Sequence, residues 1–394
     1  MIRTPYQFAS RYEPRGWMHW PEDEDVSLEF MKLLGAAQEG GSTVSECFLA
    51  ASQIDPRDHE SWYREWNRTA DANRERAIAA LESGNALTAR GNLLRATNYY
   101  LAAGIFLDAG DCRRGAVVGR MQECAEQFLK LLTPAGKVVE IPWLPDYPLR
   151  GYFLPAPSGG DRKPAVICMG EPGQRKEEFL YKMSRYARDR EISVLVVDLL
   201  GPGSSSQFDQ VVGRPDLETS ISRCVDYLAE RDDVDEQRIA IVGDGAGSSF
   251  VARGVALDQR IAAAVCDGGI WDLHERALLI NRTSGAAPSE LTLNLEKFGR
   301  HSIMRKIKCP VLVTLGEHGW LDASDEASFS HYFEEHGLDI SMKVFSASET
   351  AASHGHFDNP TFANEYIFDW LSDRLGMNTT KVLKPVCFVG CLAG

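Results

Sequence analysis

A glycine-rich turn in the second half of the chain has a spacing that suggests catalysis. Residues Gly243–Gly247 read Gly-Asp-Gly-Ala-Gly and directly follow the apolar run Ile239–Val242. A strand, a tight turn and a helix with small residues at this spacing are the pattern of a nucleophile elbow. The central residue is Gly245, which has no side chain and cannot form an acyl-enzyme. The turn therefore predicts a catalytic framework that lacks the nucleophilic hydroxyl.

A glycine-rich turn of this kind also suits a dinucleotide-binding loop, which is the competing interpretation. Gly243–Gly247 lacks the GxGxxG spacing of such a loop and comes after several earlier strands. We therefore predict no nucleotide and no other cofactor.

Substitute nucleophiles near the turn are weak candidates. The side chain of Asp244 should point away from the nucleophile position, so we retain it only as a substrate contact. Ser248 and Ser249 fall in the first helical turn, where serine is a routine residue. Cys266 ends an apolar run and is expected in the core.

The elements that position this turn change character near Pro134. Residues Asp25 to Leu132 show the apolar spacing of four or five helices, and a helix start is predicted at Ser42–Glu46. Short apolar runs separated by amphipathic segments follow. We predict a helical domain at 1–134, an α/β domain at 135–376 and a C-terminal tail at 377–394.

The apolar runs after Pro134 are too hydrophobic to be half-exposed strands. Such runs alternating with helices predict a mostly parallel, doubly wound sheet preceded by a hairpin. The predicted strands are Lys137–Leu144, Leu149–Pro155, Ala165–Met169, Val194–Leu199, Ile239–Val242, Ile261–Cys266, Val311–Leu315 and Ile340–Phe345.

The composition of the chain argues against two classes of partner. The chain has 394 residues, a formal net charge of −14 and no long apolar run, which argues against nucleic acid and against a membrane span. Nine scattered cysteines and the lack of a secretory leader predict reduced thiols in the cytoplasm. A homodimer is compatible with the sequence, but no pattern fixes the oligomeric state.

Several motifs, in order, make the chain resemble the α/β-hydrolase family with an N-terminal helical domain. This family includes 2,6-dihydroxypseudooxynicotine hydrolase, the fermentation-respiration switch protein and fungal polyketide chain-shortening hydrolases. The resemblance extends from about Glu29 to Leu375 and implies an α/β-hydrolase fold. Its motifs are Arg95–Tyr100, Gly170–Glu178, Gly201–Gly203, Arg260–Val265 and His354–Asn359.

The resemblance implies a catalytic triad that this sequence keeps only in part. The nucleophile position falls on Gly245, and the general-base position falls on His354. The acid position falls on Gly319, so Asp322 and Asp267 remain as alternative partners for the histidine.

The resemblance also implies an oxyanion hole, which is built from backbone N–H groups. Here these belong to Glu171 and Ala246, and neither depends on a serine side chain. The carboxylate of Glu171 is also a candidate acid or base.

The helical domain of this family covers the active site, so the cleft between the domains is the expected ligand site. Adjacent helix positions cannot both face one cleft, so either Tyr99 or Tyr100 is expected to contact substrate. His318 and His356 are expected at the rim, and their spacing with His354 predicts no metal site.

We therefore expect an atypical hydrolase or lyase acting on a carbonyl-rich small molecule, such as a polyketide-like or 1,3-dicarbonyl compound. The reaction would be carbon–carbon cleavage, or a related elimination or cyclisation, without a covalent serine intermediate. The main alternative is a catalytically silent protein that binds a ligand or partner. An ordinary ester or amide hydrolase with a displaced nucleophile ranks third.

Overall fold

Helices α1 to α5 precede the first strand and form one layer of the fold. Their bounds are Glu24–Gly35, Val44–Ala51, His59–Glu82, Ala86–Ala103 and Arg113–Lys130. Thr43 caps α2, since its hydroxyl accepts from the Glu46 backbone N–H at 3.3 Å and donates to the Glu46 carboxylate at 3.0 Å. This N-cap occurs at the predicted helix start.

The computed structural model describes residues 19–108, 110–170, 173–199, 216–245, 247–269, 306–318, 331, 333–335 and 337–377 of the chain. Within these ranges the strands form one sheet, in the order β1-β2-β4-β3-β5-β6-β7-β8. The strands β1 to β8 are Lys137–Leu144, Tyr147–Leu154, Lys163–Met169, Ser193–Asp198, Val234–Asp244, Ile261–Asp267, Val311–Gly316 and Ile340–Phe345. Strand β2 pairs antiparallel with both β1 and β4, and the later pairings are parallel.

The central strands are buried on both faces, which explains their unbroken apolar sequences. Val166 and Cys168 of β3 pack in one hydrophobic cluster with residues of α1 to α5. Ile167 and Met169, on the opposite face, pack in a second cluster. The predicted mostly parallel α/β sheet is therefore confirmed. Pro134 lies between the end of α5 and the start of β1, and the division of the chain into domains there stays a prediction.

Further helices connect the strands and cover the sheet. They are α6 Phe179–Lys182, α7 Ser184–Asp189, α8 Thr219–Ala229, α9 Gly247–Leu257 and α10 Pro360–Arg374. None of the helices within the described ranges has the length and apolar character needed to span a bilayer.

Candidate active site

Gly245 lies in the turn between β5, which ends at Asp244, and α9, which begins at Gly247. Its φ is +57°, in the left-handed region that glycine adopts more readily than other residues. Its N–H donates to the Asp267 carbonyl at 2.7 Å, which ties the turn to the end of the neighbouring strand. Gly245 thus occupies the strand-to-helix turn predicted from the sequence.

The glycines flanking this turn allow a close approach of backbone segments. A Cβ at Gly247 would lie 2.8 Å from the Met169 carbonyl oxygen, and one at Gly243 would lie 2.6 Å from the Ser248 nitrogen. The start of α9 therefore packs directly on the end of β3. Glu171 and Ala246 lie outside the described residues, so their oxyanion role stays a prediction.

A cavity of about 380 Å³ adjoins the turn, between the helical layer and the ends of the strands. Arg114, Val117, Val118 and Met121 line it as a stripe along one face of α5. The remaining lining residues are Leu28, Glu29, Lys32, Leu33, Ala36, Asn98, Tyr100, Leu101, Ala102, Gly104, Ile105, Gly173, Gln174, Arg175, Glu178, Tyr181, Lys182, Asp244, Gly245, Gly355, Phe357 and Pro360.

Three of the polar wall residues come from a short segment around α6. Phe179 and Leu180 are buried in the core. Residues spaced three and four apart share a helix face, and Glu178, Tyr181 and Lys182 accordingly all line the cavity.

Asp244 lies in this wall and is held by two donors. Gln174 Nε2 donates to its Oδ2 at 2.8 Å, and Lys182 Nζ donates to the same oxygen. Burial opposes the charge of Lys182, but the carboxylates of Asp244 and Glu178 outweigh this effect and raise the pKa of the lysine. Lys182 and Asp244 therefore form a charged pair at the cavity.

Glu178 is a cavity residue whose carboxyl pKa is shifted towards neutral pH. Its enclosure by protein raises the pKa of the carboxyl to about 6, although the nearby Lys182 and Lys32 oppose the shift. A carboxyl with this pKa can exchange protons near neutral pH, as a general acid or base must.

A second charged pair involves Asp267, whose backbone carbonyl accepts from Gly245 in the turn after β5. His356 Nε2 lies 2.8 Å from Asp267 Oδ1, and His356 Nδ1 lies 2.6 Å from the Ala351 carbonyl oxygen. Thr314 donates to the same carboxylate oxygen at 3.0 Å. A carbonyl oxygen only accepts, so Nδ1 carries a proton. The carboxylate of Asp267 next to Nε2 favours a second proton on that nitrogen, so the ring is an imidazolium.

Because both of its ring nitrogens are engaged, His356 has none available for a substrate. It is buried, so its expected position at the rim was wrong. The pair instead anchors the 3₁₀ turn His354–His356, whose Gly355 lines the cavity. The side chain of His354 and all of Asp322 lie outside what is described. The imidazole that contacts Asp267 is that of His356, and the base role of His354 stays a prediction.

The pair should make stability depend on pH. Burial opposes both charges, but their mutual attraction and hydrogen bond raise the pKa of His356 and lower that of Asp267. The raised histidine pKa means that its contribution is complete below about pH 6.5, the unfolded value, and is lost as pH rises through the folded pKa. The lowered aspartate pKa means a contribution that is present above about pH 4 and is lost in acid. The free energy of unfolding, measured in urea, should therefore fall above neutral pH.

His356→Ala should cost roughly 3–5 kcal/mol at about pH 6, because it leaves a buried carboxylate unpaired. The exposed His331 supplies the control, since His331→Ala should leave the wild-type pH profile unchanged. Equal stability of His356→Ala and wild type would show that the pair does not stabilise the fold.

Not all residues that the sequence predicts as substrate contacts line the cavity. Tyr100 and Asp244 line the cavity. Tyr99 does not; it is fully buried, its ring stacks on Trp66, and its hydroxyl donates to Glu46 at 2.9 Å. His318 follows β7 and is also not among the lining residues; its backbone N–H donates to the Ala352 carbonyl. Of the two tyrosines, only Tyr100 lines the cavity, which fits the expectation that at most one of them faces it. The substrate-contact roles of Tyr100, Asp244 and His318 stay predictions.

Ser248 and Cys266 are poorly placed to act as nucleophiles. Ser248 is fully buried, and its hydroxyl donates to the Gly243 carbonyl at 3.1 Å. Burial raises the pKa of the Cys266 thiol, which keeps it protonated. The described part of the elbow thus offers no displaced nucleophile in the cavity wall.

Sequence reasoning missed Gln174, Glu178 and Lys182, which hold or surround Asp244. Glu178 and Lys182 stand at i and i+4 after the third strand, the spacing of an acid–base pair on one helix face. This spacing was the one available signal. The contact with Asp244, 62 positions further along the chain, had none.

The sheet order, the turn after β5 and the cavity above it define an α/β hydrolase. The model of the esterase FrsA-like family matches residues 54–292, and the chain belongs to that family. It is 30% identical over 292 residues to hydrolyase poxO of Penicillium oxalicum, covering 68% of each chain. It is 31% identical over 259 residues to 20-hydroxy-prefusarin hydrolase FUS2 of Gibberella moniliformis, covering 63% of this chain and 61% of that protein. The chain is thus an enzyme of the hydrolase type, related to fungal hydrolases.

Solved structures of low sequence identity share the fold. The 2,6-dihydroxy-pseudo-oxynicotine hydrolase superposes with a TM-score of 0.67 at 22% identity, covering 86% of this chain and 95% of that chain. AbyA5 superposes with a TM-score of 0.61 at 16% identity, covering 89% and 95%.

Proposed function

We propose that this enzyme acts on a carbonyl-rich small molecule, such as a 1,3-dicarbonyl compound, by proton transfer and without a covalent serine intermediate. The reaction is carbon–carbon cleavage, or a related elimination or cyclisation. The observation that carries the proposal is the cavity itself, where Gly245 occupies the elbow and Glu178 has a pKa of about 6.

These reactions share two requirements that the site can meet. A base must take a proton from water or from a carbon next to a carbonyl, and Glu178 is mostly ionised at neutral pH. The oxyanion or enolate that forms must be stabilised, which backbone N–H groups at the elbow and after β3 would provide. Neither requirement involves a hydroxyl at position 245.

His354 is assigned here as a second proton-transfer group. The support is positional: Gly355, its neighbour in the chain, lines the cavity, and the His356–Asp267 pair fixes the turn that contains both. A histidine and a carboxyl in one cavity can divide the acid and base roles between them.

The test is turnover of a panel of 1,3-diketones and β-keto acids, followed by loss of enol absorbance and by mass spectrometry of the products. We expect turnover of at least one class, unaffected by prior treatment with a fluorophosphonate probe. Inactivation with stoichiometric labelling of a serine would establish a serine mechanism instead. No turnover across the panel would overturn the proposed substrate class.

A further inference from the structure

Among the residues that the structure describes, the cavity wall carries four cationic and three anionic side chains, although the whole chain has a formal net charge of −14. The charged wall residues are Glu29, Lys32, Arg114, Arg175, Glu178, Lys182 and Asp244. A local excess of cations in an acidic protein requires an explanation.

Two of the cations are already neutralised within the wall. Lys32 pairs with Glu29 at 2.8 Å, and Lys182 donates to Asp244. Within the described ranges, Arg114 and Arg175 have neither an ion pair nor a side-chain hydrogen bond, yet both line the cavity and are only partly exposed.

Arg113, next to Arg114 in the chain, is an arginine whose charge is paired within the protein. Arg113 donates to Asp111 at 2.6 Å and to Glu60 at 2.6 Å, so its charge is satisfied by the protein. A guanidinium is a planar set of five donors that suits a carboxylate, and one that faces a cavity without a partner is available to a ligand.

We infer that Arg114 and Arg175 bind a carboxylate on the substrate, so that the enzyme acts on a carbonyl-rich acid. This inference deepens the proposed function and rests on it. A planar carboxylate matches the guanidinium fork. A phosphate dianion fits less well, since the carboxylate of Glu178 in the same wall, whose neighbours leave it mostly ionised at neutral pH, would repel a second negative charge.

The positions of the two arginines suggest how such a substrate lies. Arg175 follows Gln174, which contacts Asp244 at the elbow. Arg114 begins the α5 stripe that continues through Val117 and Met121, an apolar surface for a hydrocarbon body. The carboxylate is thereby held by residues from both layers, and the apolar part lies along α5.

The experiment is calorimetric titration of the full chain with phenylhexanoate and with phenylhexanamide, which is similar in shape but uncharged. Wild type should prefer the carboxylate by roughly ten- to hundredfold, the worth of a hydrogen bond to a charged group. Arg114→Gln and Arg175→Gln should each reduce this preference by about tenfold and leave the affinity for the amide unchanged. Arg113→Gln and Arg185→Gln are matched controls that alter arginines outside the cavity wall and should keep the preference.

Equal affinity of wild type for the two ligands would overturn the inference, as would a preference that survives both cavity substitutions. Failure of every phenylalkanoate in a series of chain lengths to bind wild type would do the same. The readout is binding, so it separates the two proposals. A carboxylate preference without turnover supports the carboxylate site at Arg114 and Arg175 and removes the proposed reaction. Turnover of neutral diketones without that preference supports the reaction and removes the carboxylate site.

Discussion

Replacing Glu178 with glutamine is expected to lower turnover of the 1,3-dicarbonyl substrate by roughly two to four orders of magnitude, the usual contribution of a general acid or base. The amide keeps the size of the side chain but cannot take up a proton. Burial raises the pKa of the Glu178 carboxyl to about 6, so wild-type kcat/KM should rise with pH through that value if the carboxylate is the base. The variant should lack this step.

The pH profile distinguishes catalysis from support of the fold. Loss of packing would lower the rate at every pH without removing the step near pH 6. Glu365→Gln, on the exposed face of α10, should match wild type in rate and profile. A Glu178→Gln enzyme with wild-type turnover would remove Glu178 from the mechanism.

Replacing His354 with alanine is expected to reduce turnover of the same substrate by a similar factor, roughly two to four orders of magnitude. An imidazole with an ordinary pKa of about 6.5 exchanges protons near neutral pH, and this histidine keeps the base position that the family resemblance implies. The measurement is turnover of purified variants, with folding checked by circular dichroism.

The comparison variants are Asp267→Asn, Asp322→Asn and the exposed-site control His331→Ala. A carboxylate that only orients the base should matter less than the base itself, so either aspartate variant should lose less activity than His354→Ala. Asp267→Asn should also destabilise the fold, because it breaks the pair with His356. Wild-type turnover by His354→Ala would show that another group transfers the proton.

The sequence predicted the sheet well because burial on both faces leaves a strong local signal. Every predicted strand is present, and the run predicted at Ile239–Val242 proved to be the core of β5, Val234–Asp244. The position of Gly245 was likewise readable, since small residues at fixed spacing are what a strand-to-helix turn requires.

The side-chain partners of the site were not readable in this way. His354 and His356 are two positions apart, and Gly355 between them has a φ of +65°, so the direction of each ring depends on a local turn. Asp267 lies 89 positions from His356. The raised pKa of Glu178 depends on enclosure by the cavity walls, and no local pattern around Glu178 encodes such enclosure.

The left-handed backbone at Gly245 also bears on how this turn is maintained in evolution. An L-residue held at a φ of +57° would cost roughly 1–2 kcal/mol. Strained residues at functional sites are one reason why activity is often gained at the expense of stability. Glycine removes that trade-off at this position. Selection for a stable fold alone therefore favours Gly245 in any chain whose reaction does not need a hydroxyl there.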